Sequence, residues 1–298
     1  MPDTLSPAQI QADVQRALDE DVGSGDLTAS LVPTGRRLTA TIICRESAIL
    51  CGQPWVNEVL HRIAPSARVQ WHLQDGQRCT PGATVLTIEG EARELLTAER
   101  TCLNFLQTLS AVATRTAQYV EAVRGTRAAI LDTRKTIPGL RTLQKYATRC
   151  GGATLHRIGL FDGVILKDNH LAAFAGVPLA ERVRAAAERA RTIAPVAFVE
   201  CEVDDLAQLD ALLSLERGVL DLVLLDNMDA GMLTEAVRRR DRAQSAIELE
   251  ASGGVRLDTV RRIASSGVER ISVGAITHSA GALDLGLDLE IEGDGAAR

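Results

Sequence analysis

Lysine is nearly missing from this chain, with three lysines against thirty arginines in 298 residues. Aromatic residues make up only 3% of the sequence and the formal net charge is -6. Non-specific nucleic-acid binding draws on a basic field and on stacking platforms, and neither is supplied. The six cysteines, at 44, 51, 79, 102, 150 and 201, include no CxxC pair and no spacing typical of a zinc site, so they read as free, mostly buried thiols. Apolar runs such as residues 219–225 are too short to span a bilayer, and the N-terminus lacks the basic and apolar regions of a signal peptide. A cytoplasmic location without membrane partners is therefore expected. GxGxxG, GxxxxGK[ST] and GxSxG are all absent, which removes support for dinucleotide, P-loop and nucleophile-elbow readings.

Against this background the few lysines are informative. Lys135 lies in LDTRKTIPGLR and Lys167 in HRIGLFDGVILKDNH, with Arg134, His156 and Arg157 nearby. Each cation alone reads as a solvated surface residue, but together they describe a pocket for a small, highly anionic substrate. Arginine supplies a planar fork for carboxylate or phosphate and lysine a compact movable charge.

The patterning predicts a helix from Ser6-Pro7 to about Asp21 with Ile10, Val14 and Leu18 on one face. Strands follow in RLTATIICRESAIL, RVQWHL and ATVLTIEG, and a helix in PWVNEVLHRIA. Residues 93–123 read as one long helix with Leu96, Arg100, Leu103, Leu106 and Leu109 close to one face. Beyond Gly125, AAILDT, GVILKD, VAFVECEV, DLVLLDN, AIELEAS and ERISVGA recur at the span of a βα unit. Six such units favour a closed or nearly closed parallel barrel, with an open doubly wound sheet as the alternative. In a barrel the C-terminal strand ends hold the chemistry, and here they carry Asp132 to Lys135, Lys167-Asp168, Glu202, Asp226, Ser252 to Gly254 and Gly274.

Glu200 and Glu202 share one face of a predicted strand, the barrel interior if Val199, Cys201 and Val203 pack outward. With Asp226 they offer oxygen ligands suited to Mg²⁺ held partly by substrate oxygens; the competing reading is a structural acid–arginine network. SGGV at 252–255 and VGA at 273–275 would let backbone N–H groups close on a phosphate. His170 reads equally well as catalytic or capping.

TAERTCLN, DTRKTIPGLR, HRIGLFDGVILKDNH, VECEV, LLDN, EASGGV and VGAITHS, in this order, closely resemble the quinolinate phosphoribosyltransferase family. The resemblance spans essentially the whole chain. It implies an α/β fold: an N-terminal α/β sandwich domain over residues 1–110, an incomplete, open TIM-like α/β barrel over 111–275, and a segment 276–298 returning toward the N-terminal domain. It further implies a homodimer or larger assembly of dimers with shared active sites, in which Arg100 reaches the partner's substrate. The implied reaction converts quinolinate and 5-phosphoribosyl 1-diphosphate into nicotinate mononucleotide, CO₂ and pyrophosphate, in de novo NAD biosynthesis. Arg100, Thr133, Arg134, His156, Arg157 and Lys167 would bind quinolinate. Lys135, Glu202, Asp226, Ser252, Gly253, Gly254, Gly274 and Ala275 would bind the ribosyl donor. Lys135, Lys167, Glu202 and Asp226 would act in catalysis, with Glu202 and Asp226 holding Mg²⁺. The alternatives are a paralogous enzyme acting on another aromatic acid and a non-catalytic anion-binding barrel.

Overall fold

The computed structural model describes residues 5–172 and 176–291. The ends of the expected terminal segments, 1–4 and 292–298, lie outside the described residues. The chain divides into two compact units. One contains the described residues up to Arg115, then Thr142–Gly152, then those from Ala280 onward; the other contains Thr116–Arg141 and Ala153–Ser279.

The N-terminal unit opens with α1 (Pro7–Asp21), followed by β1 (Arg37–Cys44), β2 (Ala48–Ile49), α2 (Gln53–Ile63), β3 (Arg68–Trp71), β4 (Arg78–Cys79) and β5 (Thr84–Glu91). Proline in the first turn starts α1, while the Ser6 side chain makes no capping bond. Its buried face is Asp13, Val14 and Leu18. Asp13 is buried because its Oδ2 accepts the indole N–H of the fully buried Trp55 at 3.3 Å. In β1 buried and half-buried positions alternate after the first residue, as in a strand with one face on a core.

The helix α3 (Ala92–Ala122) runs through the boundary between the units. Its buried positions begin Ala92, Leu95, Ala98 and Cys102, continuing to Leu106 and Leu109. Leu96 and Arg100, read as close to one face with Leu103, Leu106 and Leu109, are half-buried and exposed. A 3.6-residue repeat counted from Leu106 back to Leu95 turns them about a quarter-turn or more away.

The second unit supplies β6 (Ala129–Leu131), α4 (Arg141–Cys150), β7 (Val164–Leu166), α5 (Asp168–Ala172), α6 (Leu179–Ile193), β8 (Val199–Val203), α7 (Leu206–Leu213), β9 (Leu222–Asp226), α8 (Ala230–Arg242), β10 (Glu248–Ser252), α9 (Leu257–Ala264), β11 (Arg270–Ser272) and α10 (Ala275–His278). Almost all of α4 groups with the N-terminal unit instead. The last strand, β12 (Leu285–Ile291), pairs antiparallel with β1 over Leu38–Cys44, giving the N-terminal sheet the order β12-β1-β5-β3.

All six expected βα strands form one parallel sheet, ordered β6-β11-β10-β9-β8-β7. Chain-sequential neighbours from β7 to β11, with β6 returning beside β11, give the cyclic order of a barrel and not the reversal of a doubly wound sheet. The ring stays open between β6 and β7, where one bridge, Leu131 to Thr154, extends the β6 edge. Val199, Cys201 and Val203 pack into the hydrophobic layer with Leu209, Leu212 and Val223, leaving Glu200 and Glu202 on the opposite face. Asp205 and Asp229 cap α7 and α8 by accepting two N–H groups each. No helix among the described residues is long and apolar enough to cross a membrane.

Candidate active site

Because the six strands are parallel, Asp132, Lys167, Glu202, Asp226, Ser252 and Val273 all fall at or just beyond C-terminal strand ends. Three groups of side chains form there. The first lies deepest. His156, Glu200 and Glu250 are buried, with Nε2 of His156 3.3 Å from Glu200 Oε2 and 3.3 Å from Glu250 Oε1. Arg270 Nε donates to the second oxygen of Glu250 at 2.9 Å. The ring is positioned by its own backbone N–H, which donates to the fully buried Asp132 at 2.7 Å, and by an edge contact with Phe198 at 5.2 Å.

Burial alone would lower the His156 pKa, but the two facing carboxylates outweigh it and raise the value to about 9. Burial first, then the charge of Glu250, push Glu200 up to about 7. Burial also acts upward on Glu250, yet His156 and Arg270 hold it below the ordinary range. Nδ1 of His156 accepts the backbone N–H of Arg157 at 2.7 Å, which requires a lone pair on that nitrogen. The Nε2 proton therefore faces Glu200 and Glu250, and the upward shifts belong to the triad as a unit.

This sets a pH dependence. The folded triad keeps protons that the unfolded chain has lost: the Glu200 part of its stabilisation is fully present below pH 4.5 and lost as pH rises through about 7, and the His156 part is fully present below pH 6.5 and lost as pH rises through about 9. Thermal unfolding midpoints should fall across these intervals, and His156→Gln should flatten the fall. An equal slope in the variant, measured by scanning calorimetry, would remove the triad as its cause.

The second group is cationic. Arg134 is half-buried and Arg157 buried, and Nε of each is buried without a hydrogen-bond partner among the described residues. Burial and then the Arg134 charge pull the Arg157 guanidinium below its ordinary range, as two adjacent cations do. Arg157 also donates to Gly163 O at 2.9 Å. Lys167 pairs with Glu202 on the neighbouring strand, and its backbone N–H donates to His170 Nδ1 at 3.1 Å, a turn-closing role for that histidine. Arg141, which the sequence did not single out, binds the loop together: it donates to Thr136 Oγ1 at 3.2 Å, Arg134 O at 3.4 Å and Ile158 O at 3.2 Å. Thr133 Oγ1 accepts the Lys135 N–H at 3.0 Å.

The third group consists of glycine turns. Ser252 pairs in register with Asp226, and the Asn227 N–H donates to Ser252 O at 2.9 Å. Gly253 has φ +94°, and a Cβ there would lie 2.1 Å from Asn227 Oδ1. Asn227 itself adopts φ +54° and donates from its side chain to Asp226 at 2.7 Å. At Gly274 a Cβ would meet Lys135 Cδ at 3.1 Å, and Thr277 Oγ1 donates to Lys135 O at 2.7 Å. Lys135 is exposed and Ala275 starts α10. Arg100 belongs to the N-terminal unit, where its side chain is 61% exposed and lies 3.9 Å from Glu99. A cavity of about 860 Å³ opens at the N-terminal strand ends beside Phe198, Ile247 and Arg270, and none of the expected site residues lines it.

The motifs of Glu202 and Asp226 were legible as strand-end acids, whereas Glu250, Arg270 and Asn227 were not: an isolated acid or arginine on a strand gives no sign of its partner across the barrel.

Comparison with known proteins matches residues 26–110 to the quinolinate phosphoribosyl transferase N-terminal domain and residues 112–288 to the C-terminal domain. A nicotinate-nucleotide pyrophosphorylase (carboxylating) of Mycobacterium leprae is 45% identical over 280 residues, 93% of this chain and 95% of that protein. A mitochondrial quinolinate phosphoribosyltransferase (decarboxylating) of Nicotiana tabacum is 36% identical, covering 94% of this chain and 82% of its own length. The structure of the nicotinate-nucleotide pyrophosphorylase from Francisella tularensis superposes with a TM-score of 0.87 at 38% identity, covering 96% of this chain and 98% of that one. With both domains matched in order and this identity sustained along nearly the whole length, the chain belongs to the quinolinate phosphoribosyltransferase family.

Proposed function

We propose that this chain transfers the 5-phosphoribosyl group of 5-phosphoribosyl 1-diphosphate to quinolinate and releases the 2-carboxylate, forming nicotinate mononucleotide, CO₂ and pyrophosphate for NAD biosynthesis. The observation that carries the reading is the pair of buried guanidinium Nε–H donors, Arg134 and Arg157, without acceptors among the described residues. Buried donors of this kind are costly unless a ligand accepts from them. A dianionic aromatic acid supplies acceptors and charge together.

In this reading Arg134, Arg157 and Lys167, with Thr133, hold the two carboxylates, His156 backs Arg157 by accepting its backbone N–H, and Arg100 of a second copy completes the set. Lys135 stands between quinolinate and the phosphates. Ser252, Gly253, Gly254, Gly274 and Ala275 receive the 5-phosphate through backbone N–H groups, and Glu202 and Asp226 receive the ribose hydroxyls. The same two acids suit Mg²⁺: both are hard oxygen donors, and each keeps one oxygen outside its contact with Lys167 or Asn227. Two carboxylates leave room for substrate oxygens and water in an octahedral shell. Bound there, Mg²⁺ would neutralise charge developing on the pyrophosphate.

The ring nitrogen attacks ribose C1 as the C1–O bond to pyrophosphate breaks, and the arginine set fixes the ring for that approach. Once the nitrogen is quaternary, the bond to the 2-carboxylate breaks, CO₂ leaves, and the electron pair left on C2 takes a proton. CO₂ release without the ribosyl donor would overturn this order.

The primary test is formation of nicotinate mononucleotide from quinolinate and 5-phosphoribosyl 1-diphosphate with Mg²⁺, with nicotinate as a parallel acceptor. Turnover with quinolinate alone is expected; inactivity of folded protein would favour the paralogue acting on another acid. A dimer with shared sites predicts that inactive Arg100→Ala and Lys167→Ala proteins regain activity when mixed under subunit exchange, through hybrids with one intact site. No recovery despite demonstrated exchange would count against sharing. The free cysteines support a reducing, cytoplasmic setting.

Gly253→Ala should raise KM for the ribosyl donor about tenfold, since a strained φ and the clash with Asn227 both act on the phosphate turn. KM for quinolinate should change little, and steady-state kinetics varying each substrate in turn would separate the two.

A further inference from the structure

The sequence spacing of the cysteines argued against a metal site, but the tertiary structure brings two of them together with an acid. Sγ of Cys51, Sγ of Cys150 and a carboxylate oxygen of Asp75 all lie within 4.8 Å of one another, and all three residues belong to the N-terminal unit. We propose that Cys51, Cys150 and Asp75 form a binding site for a soft divalent cation of the zinc type, separate from the chemistry assigned above.

The donors are held in place before any ion arrives. The Cys51 backbone is fixed on both sides by Ser110, whose Oγ accepts the Cys51 N–H at 2.9 Å and donates to Cys51 O at 3.1 Å. Oδ1 of Asp75 accepts the N–H groups of Gly52 at 3.0 Å and Gln53 at 3.2 Å, and Oδ2 accepts the Tyr146 hydroxyl at 2.8 Å. Hydrogen bonds onto a ligating carboxylate orient it and are a recurrent part of metal sites. Tyr146 is itself fixed by edge packing on Trp55 at 5.3 Å.

Metal–ligand bonds of about 2.0–2.3 Å in a tetrahedron place ligands about 3.3–3.8 Å apart, so donors within 4.8 Å of one another close on an ion by moving together at most about 1.5 Å. Two thiolates and one carboxylate around a divalent ion leave one negative charge, and Arg149 brings a cation to the face of Tyr146, 5.6 Å from the ring centroid. Thiolate donors favour zinc-type ions over Mg²⁺ or Ca²⁺. Cys51 is buried, while Asp75 and Cys150 are half-buried, so a water can take the fourth position from that side. Two thiol protons leave to solvent as the two metal–sulfur bonds form.

The test uses the full chain, purified with reductant and stripped of metal, with Co²⁺ as probe. One Co²⁺ per chain is expected, with an intense near-ultraviolet sulfur-to-cobalt charge-transfer band that Zn²⁺ abolishes by displacement. Cys150→Ser, at the half-buried position, should lose the band while retaining native circular dichroism. Tyr146→Phe should keep the band and weaken Co²⁺ binding about 10- to 100-fold. Absence of the band in the parent protein or its persistence in Cys150→Ser would each overturn the proposal. None of these readouts depends on turnover.

Discussion

Lys167→Ala is expected to lower kcat/KM for quinolinate by about 10²- to 10³-fold, the usual effect of removing one preorganised charge from an anion-binding site. Two consequences of the geometry set this size. The substrate loses a cation at the end of β7, and Glu202, whose partner in the free chain is Lys167, is left as an uncompensated anion facing an anionic substrate. Repulsion and lost attraction act in the same direction. The loss should fall mainly on quinolinate, with the apparent affinity for pyrophosphate in the reverse reaction changing far less. Kinetics in both directions would check this; an equal loss for both ligands would mean that Lys167 supports the strand-end geometry instead of reading the acid.

Arg270→Ala should destabilise the barrel unit by about 3–5 kcal/mol, the cost of removing one partner of a buried charge pair. Glu250 is fully buried, and Arg270 is its charged neighbour on the adjoining strand at 2.9 Å. The remaining partner, His156, lies 3.3 Å away and is already shared with Glu200. Replacing both residues, Arg270→Met with Glu250→Gln, should recover much of the loss, because an unpaired buried charge is what makes the single change severe. Urea unfolding of the single and double variants would measure the difference. A double variant as unstable as Arg270→Ala would show that the packing of the arginine stem, and not its charge, supports the unit.

The helix and strand inventory was legible because it follows from local periodicity. Pro7 and the apolar spacing placed α1, and the six short apolar runs became β6 to β11. The long helix was legible, while Leu96 and Arg100 stand about a quarter-turn or more from the row of Leu95 and Leu106, since two adjacent helical rows of leucine and alanine differ little in sequence. Glu200 and Glu202 were assigned a common face correctly because side-chain alternation in a strand depends on nothing beyond the strand. Their separate fates, Glu200 in a buried triad and Glu202 with Lys167, were not legible. They depend on which residue faces each one across the sheet.

By itself the sequence determined the order of elements, the placing of the cation-bearing and glycine-bearing segments at strand ends, and the family to which those segments belong. Only the tertiary structure decided that the gap in the expected open barrel falls between β6 and β7, that the expected returning segment pairs as β12 with β1, that His156 stands between two buried carboxylates, and that Cys51, Asp75 and Cys150 meet. The division has a physical origin. Backbone conformation and side-chain alternation are set by near neighbours in the chain, whereas burial, charge pairing and convergence of ligands are set by residues tens to hundreds of positions away, which come together only when the chain packs.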